Sequence, residues 1–193
     1  MPPPNTAVTD VRATLDDFIT RYLRHFPDLT APHDPAWPSP CTISAPDTQG
    51  RIAWRPLARN GSQDFAPLER ALDVVIHPDI STYYGAYWSG GLEARASFGQ
   101  VSLLFLWNEE DRIRLIENML GHVLLQRRAR APLSIFFACG AADSDHVYSV
   151  ENSSGRVLLE QPGRKPLQEI APDLATFIAA LEPAPASAAE PLI

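Results

Sequence analysis

Apolar residues recur at three- and four-residue spacing from Val8 through Val11, Leu15, Phe18, Ile19, Tyr22 and Leu23 to Phe26, the pattern of one face of an amphipathic helix. Asn5, Thr6 or Thr9 offers a cap, and Pro27 ends the run. The pattern then stops. Residues 31–46 carry Pro32, Pro35, Pro38, Pro40 and Pro46, which deny a helix its hydrogen bonds and hold the chain extended, so this stretch is expected to be an ordered loop packed by Trp37, or a linker. After Asp64 and Pro67, the positions Leu68, Ala71, Leu72, Val75 and Ile76 predict a second helix that His77-Pro78-Asp79 breaks. Residues 80–88 suit a short helix or a strand equally, and Gly90-Gly91 closes them either way.

The periodicity changes at Leu92. Leu92, Ala94, Ala96 and Phe98 alternate with polar residues, and the apolar run 101–107 follows Gly99-Gln100, which reads as a hairpin with one partly wet and one buried strand. Asn108 caps a third predicted helix whose first turn holds Glu109, Glu110 and Asp111 against the positive end of its dipole, with Ile113, Ile116, Leu120, Val123 and Leu124 as the expected core face. Arg127, Arg128 and Arg130 complement its negative end. Strand-like runs follow at 133–139, 146–151 and 156–161, the last two joined by Asn152-Ser153-Ser154-Gly155. Leu174, Phe177, Ile178 and Leu181 mark a closing helix after Pro172. Helices interspersed with adjacent hairpins predict an α+β fold, a central, mainly antiparallel sheet of about five or six strands packed with helices. One domain is expected over residues 1–182, with an Ala- and Pro-rich tail over 183–193 that has nothing to bury and is expected to be disordered.

The charge balance narrows the partners. Sixteen Lys and Arg face 23 Asp and Glu, a net charge of -7 that repels nucleic acid and anionic lipid and favours a basic partner, such as the cytoplasmic loops of membrane proteins. The longest apolar stretch, 101–107, is far too short to span a bilayer, and the opening Met1-Pro2-Pro3-Pro4, without basic residues ahead of an apolar core, is not expected to act as a signal peptide. Two distant cysteines suggest neither a disulfide framework nor a thiolate metal site and fit a cytoplasmic setting.

Catalytic chemistry finds little support. Cys41, with His77 or His122 as base, is the one nucleophile to weigh, and Pro38-Ser39-Pro40-Cys41 gives it neither a glycine turn nor a helix start to lower its pKa. A small buried cysteine explains it better. Asp143, Asp145 and His146 read as a solvated turn, His122 as a packed or capping histidine, and Glu109-Glu110-Asp111 as an exposed helix start rather than a catalytic pair. No metal or cofactor is expected.

Taken in order, Pro38-Ser39-Pro40-Cys41, Glu69-Arg70-Ala71-Leu72-Asp73, Tyr83-Tyr84, Phe98-Gly99, Trp107, Glu117-Asn118, Gly121-His122 and Asn152-x-Ser154-Gly155 resemble the Syd family across roughly residues 8–181. The resemblance implies an α+β fold of a wider superfamily that also contains bacterial toxin-immunity proteins. It further implies a non-enzymatic regulator or sequestering factor, loosely attached to the cytoplasmic side of the bacterial inner membrane through basic loops of the SecY channel. An acidic concave surface would make that contact, and its candidates here are Glu69, Asp73, Asp79, Glu109, Glu110, Asp111 and Glu117, with Tyr83, Tyr84 and Trp88 as possible aromatic anchors. An immunity protein of the same fold is the alternative.

Overall fold

The computed structural model describes residues 10–185. In chain order the elements are α1 (Val11–His25), β1 (Thr30–Pro32), β2 (Arg51–Ala53), β3 (Leu57–Ala58), α2 (Ala66–Leu72), α3 (Pro78–Ala86), β4 (Tyr87–Trp88), β5 (Leu92–Ala96), β6 (Gly99–Leu103), α4 (Glu109–Ala129), β7 (Ser134–Cys139), β8 (Val147–Glu151), β9 (Val157–Glu160), β10 (Gln168–Ala171), α5 (Leu174–Ala179) and β11 (Glu182–Pro183). Seven of the strands form one antiparallel sheet in the order β10-β9-β8-β7-β6-β5-β11, and β1-β2 and β3-β4 form two small ladders beside it. The α+β class and the antiparallel sheet are as the sequence predicts.

Two edge strands enlarge the sheet beyond five or six. β10 and β11 escape a periodicity reading because Gln168 and Glu169 are exposed and β11 is only two residues long. Pairing of Glu182 with Arg95 and Pro183 with Ala94 also places the start of the expected tail in the sheet. Residues 186–193 lie outside the described residues, as do Val8 and the proposed caps Asn5, Thr6 and Thr9. The cap that forms is Asp10, whose carboxylate accepts from Arg12 N at 2.9 Å.

Each sheet face has its own chemistry. On one face Ile135, Tyr148, Val150 and Val157 are buried, and Phe177 of α5 stacks edge-on against Phe137 with ring centres 5.2 Å apart. Burying such a large apolar side chain contributes roughly 1.5–3 kcal/mol. The other face, beneath α4, presents Ser134, Ser149 and Glu160, all closed to solvent.

That polar face corrects the helix that covers it. α4 buries Leu115, Met119, His122, Val123 and Gln126, whereas Ile113 and Leu124 of the expected core face stand 56% and 45% exposed. Val123 of that face is buried and Ile116 and Leu120 are partly buried, so the inward side is rotated from the apolar count rather than opposite to it, because the sheet below offers hydrogen-bond partners and draws His122 and Gln126 inward. α2 is also shorter than predicted. It ends at Leu72 because Asp73 adopts the left-handed conformation (φ 57°), leaving Val75 80% exposed and Ile76 buried outside the helix. The ambiguous stretch 80–88 is both things in turn, a helix through Ala86 and a strand over Tyr87–Trp88.

Candidate docking surface

The proline-rich loop is ordered through the start of α4. Ser39 Oγ donates to Trp107 O (2.5 Å) and accepts from Cys41 N (3.0 Å), while Asn108 Nδ2 donates to Pro38 O (2.9 Å). Trp37 lies under the Arg114 guanidinium at 3.9 Å, and its carbonyl accepts from Trp107 Nε1 at 3.3 Å. Asn108 and Asp111 cap α4 reciprocally: Asn108 Oδ1 accepts from Asp111 N at 3.0 Å, and Asp111 Oδ2 accepts from Trp107 N at 2.9 Å. Asp111 is therefore committed to local structure.

The rest of the acidic set divides among three places. Glu109 pairs with Arg112, and Glu110 and Glu117 are exposed on the same helix, with no cation in ion-pair range among the described residues. Glu110 and Glu117 are seven residues apart, about 10.5 Å along one side of the helix. Glu69 and Asp73 belong to the far end of α4, because Arg127 Nη2 donates to Leu72 O at 2.8 Å. Eighteen residues of helix, about 27 Å, separate that end from Glu109. Glu69 Oε1 accepts from Ile76 N (2.9 Å) and holds the turn after α2.

Asp79 forms the third place, in the first turn of α3. Burial pushes its carboxyl pKa up, partly opposed by nearby His77 and reinforced by the charges of Asp173 and Asp10.

The aromatic candidates separate as well. Tyr83 is fully buried and Tyr84 nearly so; their hydroxyls donate to Phe137 O and Phe136 O, at 3.3 and 3.0 Å, which makes them core residues that no partner surface reaches in this conformation. Trp88 is half-buried, carries the Arg59 guanidinium 3.9 Å above its ring and pairs with Leu106 in an isolated bridge. Arg59 feels the charges of Glu109 and Arg112, so Trp88 and the start of α4 share one region of the surface.

Sequence reasoning passed over a buried polar cluster among the described residues. Beneath α4, Ser134 Oγ donates to Glu160 Oε2 (2.7 Å), Gln126 Nε2 donates to Ser134 Oγ (2.5 Å), and His122 Nε2 lies 3.3 Å from Glu160 Oε2. Ser149 Oγ is buried towards the same carboxylate without completing a hydrogen bond of ordinary geometry. The available signal was a glutamate closing an otherwise apolar strand, Val157-Leu158-Leu159-Glu160, two strands from a helix that carries an inward histidine.

Nucleophilic chemistry has no footing at Cys41. It is 1% exposed, and burial pushes its thiol pKa up despite hydrogen bonds with Ser39 and the Leu57 backbone. Among the described residues, no three His, Cys, Asp or Glu side chains stand close enough to hold a metal ion, and no helix is long and apolar enough to cross a membrane.

Several motif residues named in the sequence lock loops together. Asn152 Oδ1 accepts from His77 N and its amide donates to Val75 O, both at 2.8 Å, which ties the turn before β9 to the chain entering α3. Gly155, at φ +79°, lies so close to His77 that a Cβ would meet the ring at 2.8 Å. Protein Syd of Pseudoalteromonas atlantica is 41% identical over 179 residues, covering 90% of this chain and 96% of that protein. Protein Syd of Alteromonas mediterranea is 34% identical over 175 residues with the same coverage, and that of Escherichia coli O81 is 34% identical over 140 residues, 64% of this chain and 75% of that one. The family model described as Syd protein (SUKH-2) matches residues 12–183, and the chain belongs to that family.

Proposed function

We propose that this protein is a non-catalytic binder of the SecY channel that docks from the cytoplasmic side of the bacterial inner membrane and restrains or sequesters the translocase. Membership of the Syd family supports the partner. The observation that carries the docking geometry is the pair of exposed carboxylates Glu110 and Glu117 on one side of α4, with Glu109 beside them and Trp88 nearby.

The net charge of -7 adds a long-range attraction for basic channel loops. Each exposed pair is worth only about 0.2–1 kcal/mol, so the carboxylates act together and salt weakens the complex. Glu69 and Asp73, at the far end of α4, and Asp79, beside Asp10 and Asp173, extend the acidic field around this contact rather than forming its centre. The buried, uncharged Cys41 and the tightly bonded Glu160 favour binding over catalysis as the role.

Reversal of Glu109, Glu110 and Glu117 to lysine tests the reading. Affinity for detergent-solubilised SecY complex is expected to fall by at least about tenfold in a variant that still folds, with only a modest drop in melting temperature from the lost first-turn carboxylates and the Glu109–Arg112 pair. Unaltered affinity in a folded triple variant would refute the α4 contact.

A further inference from the structure

The outer side of α4 carries Glu110, Ile113, Glu117, Gly121, Leu124 and Arg128. They are three or four residues apart throughout, so they form one stripe opposite the buried Leu115, Met119 and Gln126. All six are exposed. Ile113 and Leu124 are exposed large apolar side chains, and a Cβ on Gly121 would meet nothing within 4 Å, so the backbone there is open to close approach.

The order of chemistry along this stripe is acid, apolar, acid, glycine, apolar, base. Read in the reverse direction, it complements itself. Two such helices laid antiparallel about a two-fold axis bring Glu110 of each against Arg128 of the other and Ile113 against Leu124. Glu117 then faces Gly121, where the absent side chain leaves room for the aliphatic stem while the carboxylate reaches solvent. Arg128 is available for this role because among the described residues it enters no ion pair.

We propose that the outer face of α4 is a homodimer contact, a two-fold antiparallel α4–α4 packing between two copies of this chain. One helix pair buries less than the roughly 1,600 Å² of a standard stable interface, so the association is weak and concentration-dependent. It occupies part of the α4 surface assigned above to SecY, yet rests on self-complementarity alone, and its test uses the purified chain without SecY.

Sedimentation velocity of the wild-type protein, from micromolar to submillimolar concentration, is expected to show a monomer–dimer equilibrium. Glu110→Arg and Arg128→Glu each convert two symmetry-related attractions into repulsions and are expected to weaken the dimer by about tenfold or more. The double variant E110R/R128E is expected to dimerise again, and an equimolar mixture of the two single variants to form heterodimers. Thermal melts confirm that each variant is folded. A wild type that stays monomeric throughout would overturn the proposal and leave the stripe to a membrane surface or a different protein. A dimer indifferent to either single reversal, or a folded double variant that does not recover, would overturn it too.

Discussion

His122 Nε2 and Glu160 Oε2 stand 3.3 Å apart in a pocket closed to solvent, the histidine descending from the middle of α4 and the glutamate rising from the end of β9. Gln126 and Ser134 complete the set through Ser134 N to Gln126 Oε1 (3.2 Å) and the Ser134 hydroxyl to Glu160. This contact fixes which side of α4 faces the sheet, and so which side, with Ile113, Glu117 and Leu124, faces outward.

Removal of Glu160 therefore strikes at the seating of α4. Glu160→Ala leaves His122, Ser134 and Gln126 buried without their shared acceptor and is expected to cost about 3 kcal/mol. Urea denaturation at neutral pH reads this loss directly.

The same carboxylate sets part of the acid stability. Burial alone would raise its pKa, but hydrogen bonds with His122 and Ser134 and the His122 charge outweigh burial and hold it below the usual carboxylate range. The native state then binds fewer protons than the unfolded chain between the two pKa values. The stabilisation is complete above the ordinary glutamate pKa of about 4.3 and is lost as pH falls through the lower native value. Glu160→Gln is expected to be less stable at neutral pH and to lose stability less steeply on acidification, measured by urea midpoints across the acidic range.

Asn152 and Gly155 hold β8 and β9 to the entry of α3. Asn152→Ala loses both bonds to the His77 and Val75 backbone and is expected to cost about 2 kcal/mol. Gly155→Ala meets the His77 ring from a left-handed backbone and is expected to cost at least about 1 kcal/mol. Thermal melts give both values, and amide exchange at His77 is expected to quicken in the asparagine variant.

Among the α4 carboxylates, location decides the outcome. Asp111→Ala removes half of the reciprocal cap and is expected to destabilise the protein by about 1 kcal/mol. Glu117 is exposed and unpaired among the described residues in mid-helix, so Glu117→Ala is expected to leave the melting temperature unchanged, and Glu110→Ala to lower it only by its small first-turn contribution. Calorimetry of the three single variants separates the structural carboxylate from the surface ones.

Cys41 is expected to resist alkylation in the folded protein and to react fully once urea unfolds it, as followed by mass spectrometry. Rapid labelling of Cys41 in the native state would reopen a thiol chemistry that the structure does not provide.

The cap of α4, the end of α1 and one turn are legible in the sequence because their chemistry is local: Asn108 caps α4, Pro27 follows α1, and Asn152 to Gly155 turns between β8 and β9, whereas the cap of α1 is Asp10 and not a residue the pattern singled out. Strand order depended on pairings such as Glu182 with Arg95, which join residues far apart in the chain and leave no periodic trace. The inward face of α4 is only partly legible: Val123 is buried as expected, but His122 and Gln126 turn inward because their partners, Ser134 and Glu160, lie on strands whose buried polar residues look like solvent-facing ones in a linear reading. Tyr83-Tyr84 failed as a surface signal for the opposite reason, since both rings sit in the core and use their hydroxyls on strand carbonyls.

Binding of the purified protein to detergent-solubilised SecY complex, at low and high salt and beside an unrelated membrane protein with equally basic loops, tests the proposed role most directly. The account predicts selective binding that weakens as salt is raised and is lost on reversal of Glu109, Glu110 and Glu117. Absence of binding, or equal binding to the control protein, would contradict it.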